Sequence, residues 1–237
     1  MDIMYKASAI IVAAGKGSRM NAGINKQYLL LGNKPVLAHT IEAFEKSECI
    51  SEIIVVINKN DNDFFVNTII KPYNFRKISA VAEGGEDRQA SVFNGLCLVS
   101  ASSEIVVVHD GARPLVTADI IKRSVDAALV FGAACTGVPV KDTIKKVDSN
   151  LDVEYTPDRS GLWAIQTPQT FRRDILAAAH HSAVRDGFRG TDDSVLAERL
   201  GYRVHMVMGS YTNIKITTVE DLAFAETILK NFFHGVD

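Results

Sequence analysis

Two glycines and two positively charged side chains near the N-terminus form the segment of this chain best suited to phosphate chemistry. Gly15 and Gly17 follow an apolar run, and Arg19 and Lys26 come shortly after them. Glycine leaves the backbone open to close approach by a ligand, and a guanidinium beside an ammonium group can neutralise phosphate oxygens. The segment predicts a phosphate that is both bound and reacted, with Arg19 and Lys26 stabilising the developing charge. A simple bend after a strand, with two solvated cations, is the alternative.

The glycine spacing differs from that of several well-known sites. Met20 occupies the last glycine position of G-x-G-x-x-G, which disfavours an NAD site because that glycine permits close packing of helix and strand. The chain has no GxxxxGK[ST] run and no GxSxG turn. A P-loop ATPase and a hydrolase with a nucleophile elbow are therefore excluded.

Two more polar clusters follow apolar runs of strand length. In the first, Gly84, Gly85 and Glu86 precede Ser91, and paired glycines would let a flat base lie against bare backbone while Ser91 hydrogen-bonds it. An ordinary turn with a helix cap is the alternative there. In the second cluster, residues 109–114, the Asp110 carboxylate suits Mg²⁺. A structural ion pair of Asp110 with Arg113 fits the same residues.

The elements that must position these clusters follow from the hydrophobic pattern. Strand-like runs alternate with helical periodicity, which predicts an α/β fold with a doubly wound, mostly parallel, Rossmann-like sheet. Ligands bind at the carboxyl ends of the strands in such sheets, so the three clusters are predicted to form one site. The predicted strands of this part are Ser8–Val12, Ile53–Ile57, Ile78–Ala82, Ile105–Val108 and Ala134–Val138, and the predicted helices start at Pro35, near Asp87 and at Thr117 or Asp119.

The pattern changes after the fifth strand. Alternation in Thr143–Val147 and Val153–Tyr155 predicts a β-hairpin arm over residues 141–158. The arm would project from a single domain spanning residues 1–237. The remaining predictions are helices at Arg172–Val184 and Asp193–Leu200, strands at Arg203–Met208 and Asn213–Ile216, and a capping box of Thr217 with Glu220.

Three side chains in the second half of the chain are interpreted from local pattern alone. Lys215 alternates with apolar residues, so we expect it to point away from the core. His180 and His181 resemble a solvated helix face rather than a metal pair.

Composition excludes several classes of partner. The formal net charge is −2, with 26 basic and 28 acidic residues. The chain therefore lacks the excess of positive charge that is typical of proteins that bind nucleic acid or an anionic membrane. The three cysteines are widely spaced and contain no CxxC pair, which favours reduced thiols in a cytoplasmic protein. The N-terminal apolar stretch is too short to span a bilayer and is better interpreted as a first strand.

Seven segments, taken in order, resemble the 2-C-methyl-D-erythritol 4-phosphate cytidylyltransferases of the non-mevalonate isoprenoid pathway. They are AAGKGSRM, NKQY, GGEDRQAS, HDGARP, DRSGLWAIQTPQTF, TDD and NIKIT. The resemblance implies that a sugar-alcohol phosphate attacks the α-phosphorus of CTP in the presence of Mg²⁺ and that pyrophosphate leaves. It also implies a homodimer in which the arm of each subunit reaches towards the partner's site.

The resemblance assigns roles to individual positions. Arg19 and Lys26 would stabilise the transition state, and Arg159 and Lys215 would position the sugar phosphate. Asp110 would be the metal-side aspartate. Residues implied on the nucleotide side are Ala13, Ala14, Gly15, Gly17, Gly84, Gly85, Glu86, Ser91, Gly111 and Arg113, and those of the sugar-phosphate pocket are Thr143, Thr167 and Thr191.

Two alternatives stay open at the level of sequence. A ribitol-5-phosphate cytidylyltransferase would have the same fold, although the 158–163 segment and HDGARP favour methylerythritol phosphate. A non-catalytic nucleotide-binding module would bind CTP without needing both Arg19 and Lys26.

Overall fold

The computed structural model describes residues 6–15 and 25–233, with no side chain beyond residue 231. A seven-stranded sheet lies at its centre. Its strand order is β11-β7-β10-β6-β1-β4-β5, and only the two pairings made by β10 are antiparallel. The strands of the described residues are β1 (Ala7–Ala13), β2 (Leu30–Leu31), β3 (Lys34–Pro35), β4 (Ile50–Ile57), β5 (Ile78–Glu83), β6 (Ile105–Asp110), β7 (Ala133–Pro139), β8 (Lys146–Val147), β9 (Val153–Tyr155), β10 (Trp163–Arg172) and β11 (His205–Met208). The predicted mostly parallel α/β sheet is confirmed.

Helices cover both faces of this sheet. The helical elements are α1 (Val36–Lys46), α2 (Asn62–Phe65), α3 (Lys71–Tyr73), α4 (Arg88–Leu96), α5 (Ala118–Phe131), α6 (Arg173–Arg185), α7 (Asp193–Arg199) and α8 (Val219–Ile228), with π-helical turns at Val66–Ile70 and Leu229–Phe233 and 3₁₀ turns at Lys26–Tyr28, Lys59–Asp61 and Arg159–Gly161. Among the described residues, no helix combines the length and the apolar character needed to cross a bilayer.

Alternation along the central strands divides the core into two layers. In β1, Ile11 packs into the layer that contains Leu37 of α1 and Ile121 of α5. Its neighbour Ile10 packs into the opposite layer with Val92 of α4. Successive side chains of a strand point to opposite faces, so a strand that is apolar at every position must be buried on both sides. This arrangement holds the carboxyl ends of β1, β4, β5 and β6 at one edge of the sheet.

Two helix caps fix residues close to that edge. The Asp87 side chain accepts a hydrogen bond from Ala90 N at 2.8 Å, so α4 begins at Arg88. Of the two caps predicted for α5, Thr117 is used, because its hydroxyl accepts from Ile120 N. An N-cap side chain satisfies a backbone donor that the helix leaves unpaired.

The ten-residue strand β10 was not predicted from the sequence. It lies between β6 and β7 and carries a register shift between Ile165 and Gln169, around the cis Thr167–Pro168 bond. Its central residues are buried but mostly polar, so the segment lacks the apolar run that marked the other strands. A proline is also typical of edge strands or bulges rather than of a central strand.

Two local predictions near the C-terminus were wrong. Residues 213–216 form a loop, whose Ile216 N donates to Ala112 O at 2.8 Å without a ladder of paired residues. The capping box consists of Thr218 with Asp221, one residue later than predicted. The Asp221 carboxylate also accepts from Thr217 N and Oγ1, so both threonines bond the same acidic side chain.

The predicted hairpin is present as the pair β8 and β9. Lys146 pairs with Tyr155, and Val147 pairs with Val153. Large apolar side chains are exposed along it, with Leu151 80% and Val153 57% accessible. The division of residues 1–237 into one domain with an arm at about 141–158 stays a prediction.

Candidate functional site

A cavity of about 370 Å³ lies at the carboxyl ends of β1, β5 and β6. We call it the first-strand cavity. The residues that line it are Val12, Ala13, Ala14, Gly15, Lys26, Gln27, Asn58, Gly85, Glu86, Asp87, Arg88, Ser91, Asp110, Ala112 and Lys215. The described residues of the three sequence clusters therefore meet at this edge of the sheet.

The glycine pair shapes one wall of the first-strand cavity. Gly84 N donates to Ile57 O at 2.7 Å, and a Cβ on Gly84 would lie 2.2 Å from Ala14 Cβ. Gly85 N donates to Ser91 Oγ at 3.0 Å. A side chain at position 84 would push the ends of β1 and β5 apart, so glycine is needed there for close packing. Ser91 braces the turn in the same place.

A second cavity, of about 290 Å³, adjoins the first on the side of β10. We call it the Thr167 cavity. Its lining residues are Arg88, Asp110, Arg113, Ile165, Gln166, Thr167, Gln169, Thr191, Asp192 and Lys215. Arg88, Asp110 and Lys215 line both cavities. These three residues are therefore the boundary between the two cavities.

The Asp110 carboxylate holds three cations at this boundary. Its Oδ1 accepts from Arg88 Nε at 3.1 Å. Its Oδ2 lies 2.9 Å from Lys215 Nζ and 3.4 Å from Arg113 Nε. Burial raises the pKa of Asp110, but the charges of the neighbouring cations more than offset it, and the pKa lies well below its ordinary value. The ion pair with Arg113 that the sequence left open is therefore one part of a larger cluster.

Thr167 is held by a buried hydrogen-bond chain that determines the tautomer of His109. Burial lowers the pKa of His109 to about 3, so the ring is neutral near pH 7. Its Nε2 lies 3.2 Å from Arg113 O, and a carbonyl only accepts, so Nε2 carries the proton. Nδ1 then accepts from the Thr167 hydroxyl at 3.0 Å, while Thr167 Oγ1 accepts from Asp110 N at 3.0 Å.

The structure corrects one interpretation of a single residue and places another at the site. Lys215 lines both cavities, and its Nζ reaches the Asp110 carboxylate. His180 is not on a solvated face: it is fully buried, and its Nε2 lies 3.0 Å from Asp193 Oδ1. His181, its neighbour, is exposed as expected.

Four predicted site residues line neither cavity, and two more, Gly17 and Arg19, fall outside the described residues. Gly84 and Gly111 pack behind the first-strand cavity, and Gly111 N donates to Val12 O at 2.8 Å. Thr143 and Arg159 are exposed on or beside the arm and line neither cavity, and Arg159 Nη1 donates to Lys141 O at 2.5 Å.

Sequence reasoning missed several residues of the boundary and of the Thr167 cavity. Arg88 was present in the GGEDR motif but received no role, because an arginine at a helix start is commonplace. Gln166 and Gln169 belong to the unpredicted strand. Gln169 Nε2 donates to Asp192 Oδ2 at 2.8 Å, and Gln169 Oε1 accepts from Asp193 N at 3.0 Å.

Comparison with protein families gives one match across nearly the whole chain. The family model described as 2-C-methyl-D-erythritol 4-phosphate cytidylyltransferase matches residues 7–231. A protein of that name from Alkaliphilus oremlandii is 51% identical over 236 residues, which cover 99% of this chain and 100% of the relative. One of the same name from Caldanaerobacter subterraneus subsp. tengcongensis is 50% identical and covers 94% of this chain and 98% of its own.

Solved structures give the same result. The crystal structure of a 4-diphosphocytidyl-2C-methyl-D-erythritol synthase from Anaerococcus prevotii superposes with a TM-score of 0.85 at 36% identity, covering 96% of this chain and 97% of the other. The 2-C-methyl-D-erythritol 4-phosphate cytidylyltransferase of Thermus thermophilus gives a TM-score of 0.77 at 32% identity, covering 95% and 99% of the respective chains.

The hydroxyl of Thr167 gives a prediction about stability. In Thr167→Val, Asp110 N and His109 Nδ1 both lose a buried partner, and we expect the free energy of unfolding to fall by about 2–4 kcal/mol. Thr167→Ser keeps the hydroxyl and should lose about 1 kcal/mol for the missing methyl group. Urea unfolding followed by circular dichroism measures both. Equal losses in the two variants would contradict the assigned hydrogen bonds.

Proposed function

The chain belongs to the 2-C-methyl-D-erythritol 4-phosphate cytidylyltransferase family, and we propose that its two adjoining cavities are the subsites for the two substrates. The enzyme transfers the cytidylyl group of CTP to 2-C-methyl-D-erythritol 4-phosphate in isoprenoid biosynthesis. The products are 4-diphosphocytidyl-2-C-methyl-D-erythritol and pyrophosphate. CTP occupies the first-strand cavity, and the sugar phosphate occupies the Thr167 cavity.

The shared boundary of Arg88, Asp110 and Lys215 is the observation that carries this assignment. The reaction joins two polyanions, so their mutual repulsion is a large part of the barrier. Cations placed where the two phosphates meet offset that repulsion. Arg88 and Lys215 lie at this boundary, Lys26 lines the CTP side, and Arg113 lines the other side.

The mechanism is mainly one of positioning and electrostatic stabilisation. A phosphate oxygen of the sugar phosphate attacks the α-phosphorus of CTP, and the bond to the pyrophosphate oxygen breaks. The attacking group is already ionised, so the reaction needs neither a strong general base nor a covalent nucleophile. Lys26 stabilises the charge that develops on the α-phosphate and leaving group. Arg19, outside the described residues, remains predicted for the same role.

The cytosine base lies against the glycine turn. Gly85 and Glu86 line the first-strand cavity opposite Ala13 and Ala14, and their backbone would give hydrogen bonds to the base. The Ser91 hydroxyl accepts from Gly85 N and donates to Asp87 O, which leaves a lone pair for the amino group of cytosine. This contact would favour cytosine over uracil, because uracil carries an acceptor at that position.

Magnesium fits this site as an ion that would be held jointly by a protein carboxylate and by the phosphates of CTP. Among the described residues, no group of three His, Cys, Asp or Glu could hold a metal, so phosphate oxygens and water would complete the octahedron that Mg²⁺ prefers. Asp110 is the carboxylate that faces both cavities, and its Oδ1 retains a lone pair beside the bond from Arg88. The bound ion would neutralise phosphate charge.

The exposed arm supports a homodimer in which Thr143 and Arg159 serve the partner's sugar-phosphate subsite. Both lie away from their own chain's cavities. Large apolar side chains are exposed to solvent on the arm, namely Ile144, Val147, Leu151, Val153 and Tyr155. Such a surface is typical of an interface, and an isologous dimer would bury both arms. The free thiols Cys49, Cys97 and Cys135 support a cytoplasmic location.

Turnover tests the assigned reaction directly. The wild-type enzyme should release pyrophosphate from CTP with 2-C-methyl-D-erythritol 4-phosphate and not with ribitol 5-phosphate. Lys26→Ala should lower kcat by about a hundredfold, as expected for a lost transition-state cation, while still binding CTP in a calorimetric titration. Turnover with ribitol 5-phosphate alone would overturn the substrate assignment. Unchanged turnover in Lys26→Ala would place the chemistry elsewhere.

Removal of the metal gives a separate prediction. EDTA should abolish turnover, and added Mg²⁺ should restore it. In Asp110→Asn, the Mg²⁺ concentration that gives half the maximal rate should rise by about tenfold, because one ionised ligand is lost. A rate that is insensitive to EDTA would contradict the proposed role of the ion.

Mixed dimers test whether Arg159 acts on the partner subunit. A dimer of Lys215→Ala with Arg159→Ala subunits contains one site in which Lys215 and the partner's Arg159 are both intact. Random 1:1 assembly should therefore regain about a quarter of the wild-type rate, since half of the dimers are mixed and half of their sites are complete. If Arg159 served its own chain, every site would lack one cation and no rate would return. Co-expression with two affinity tags isolates the mixed dimer, which should show about half of the wild-type rate because one of its two sites is complete.

A further inference from the structure

A chain of hydrogen-bonded polar side chains leads from α6 to the boundary between the two cavities. His180 Nε2 lies 3.0 Å from Asp193 Oδ1, and Asp193 Oδ2 accepts from Arg88 Nη1 at 2.6 Å. Arg88 Nε donates in turn to Asp110 Oδ1 at 3.1 Å. We call His180, Asp193, Arg88 and Asp110 the buried relay. We propose that His180 and Asp193 are positioning residues of the transfer reaction, acting through Arg88 on the groups at the boundary.

The proposal rests on the assignment of the two cavities made above and extends it to residues outside them. Neither His180 nor Asp193 lines the first-strand cavity or the Thr167 cavity. His180 is fully buried and Asp193 is 1% exposed. Any effect of these two residues on the reaction must therefore pass through their contacts.

Stability alone is a weak reason to bury this carboxylate. Burial raises the pKa of Asp193, but the effects of Arg88 and His180 outweigh that of burial. The pKa therefore lies below its ordinary value, and the group is ionised. Removing a charge from water costs several kcal/mol, and well-packed apolar residues often stabilise a core as much as a buried ion pair. What an ion pair provides in addition is a fixed direction for each donor and acceptor. The buried relay therefore fixes the direction of the Asp110 carboxylate, which lines both cavities.

The guanidinium of Arg88 explains how that orientation depends on Asp193. Arg88 divides its planar fork between two carboxylates, with Nη1 on Asp193 and Nε on Asp110. Without a charge at position 193, the fork would turn to hold Asp110 with two parallel bonds, the geometry that arginine and carboxylate prefer. Asp110 would then rotate away from Lys215 Nζ, which now lies 2.9 Å from Oδ2.

Asp193 is itself held in place through both its backbone and its side chain. Gln169 Oε1 in β10 accepts from Asp193 N and Ser194 N at 3.0 and 3.2 Å. The ring of His180 packs parallel to Phe93 of α4, with centroids 6.0 Å apart and an angle of 18° between planes. An ionised carboxylate only accepts, so His180 donates to Asp193 through Nε2–H. The backbone of Asp193 is thereby anchored to β10, and its carboxylate is bonded to His180 of α6 and Arg88 of α4.

Steady-state kinetics of two isosteric variants test the proposal. Asp193→Asn keeps the shape and removes the charge, and we expect kcat to fall by about tenfold or more while the KM for CTP stays within about threefold. The fall in kcat would reflect a misdirected Lys215 and not a lost CTP contact. His180→Gln places an amide N–H near the position of Nε2 and should keep most of the rate, whereas His180→Leu should lose it.

Asp186→Asn is the matched control on the same side of the molecule. Asp186 bonds Arg185 and Arg199 at 2.9 and 2.7 Å, and it touches no member of the buried relay. Its kcat should equal that of the wild type. Circular dichroism melts report the folded fraction of every variant. If Asp193→Asn does not fold, the His180→Gln and His180→Leu pair decides the matter.

Two outcomes would overturn the proposal. One is an unchanged kcat in folded Asp193→Asn and folded His180→Leu. The other is equal kcat in His180→Gln and His180→Leu with losses that follow the folded fraction, which would make the buried relay merely structural. Absence of cytidylyl transfer by the wild-type enzyme would instead overturn the assigned function, so the two failures are distinguishable.

Discussion

The placement of one carboxylate, that of Asp110, makes the rest of the site possible. Three cationic side chains cannot converge within a few ångströms at a protein edge unless a negative charge offsets their repulsion. Asp110 provides that charge at the end of β6 and bonds Arg88, Arg113 and Lys215, which come from three different segments of the chain. The tertiary structure therefore assembles this cluster, and its residues form the boundary between the two cavities.

The antiparallel strand β10 gives the site its second half. It inserts between β6 and β7, and its register shift places Thr167 against the backbone of Asp110. β10 is ten residues long and continues along β7 beyond the end of β6. Its middle residues therefore lie beside that end, and side chains on both sides of the irregularity line the Thr167 cavity. The Thr167 cavity thus depends on the element that breaks the parallel pattern.

How well each feature could be predicted depends on how far apart in the sequence its interacting residues lie. β1, β4 and β6 were predicted because burial on both faces demands apolar runs, and burial is encoded locally in residue type. β10 was missed because its buried positions are polar, with partners such as His109, 58 residues away along the chain. His180 was misassigned for the same reason, since Asp193 compensates its burial through one hydrogen bond that no periodicity reveals. Arg88 pairs with Asp193 at a separation of 105 residues.

The site clusters, by contrast, were predictable because two constraints coincide at strand ends. Glycines such as Gly84 are required for packing, and the same positions lie where ligands approach an α/β sheet. Sequence could not predict that Lys215 and Asp110 already pair within the cluster. That pairing has a consequence for substrate binding. The cations are fixed before the substrates arrive, so less conformational entropy is lost on binding. A triphosphate bound in the proposed subsite would carry more negative charge than a carboxylate, and it would therefore take over these donors.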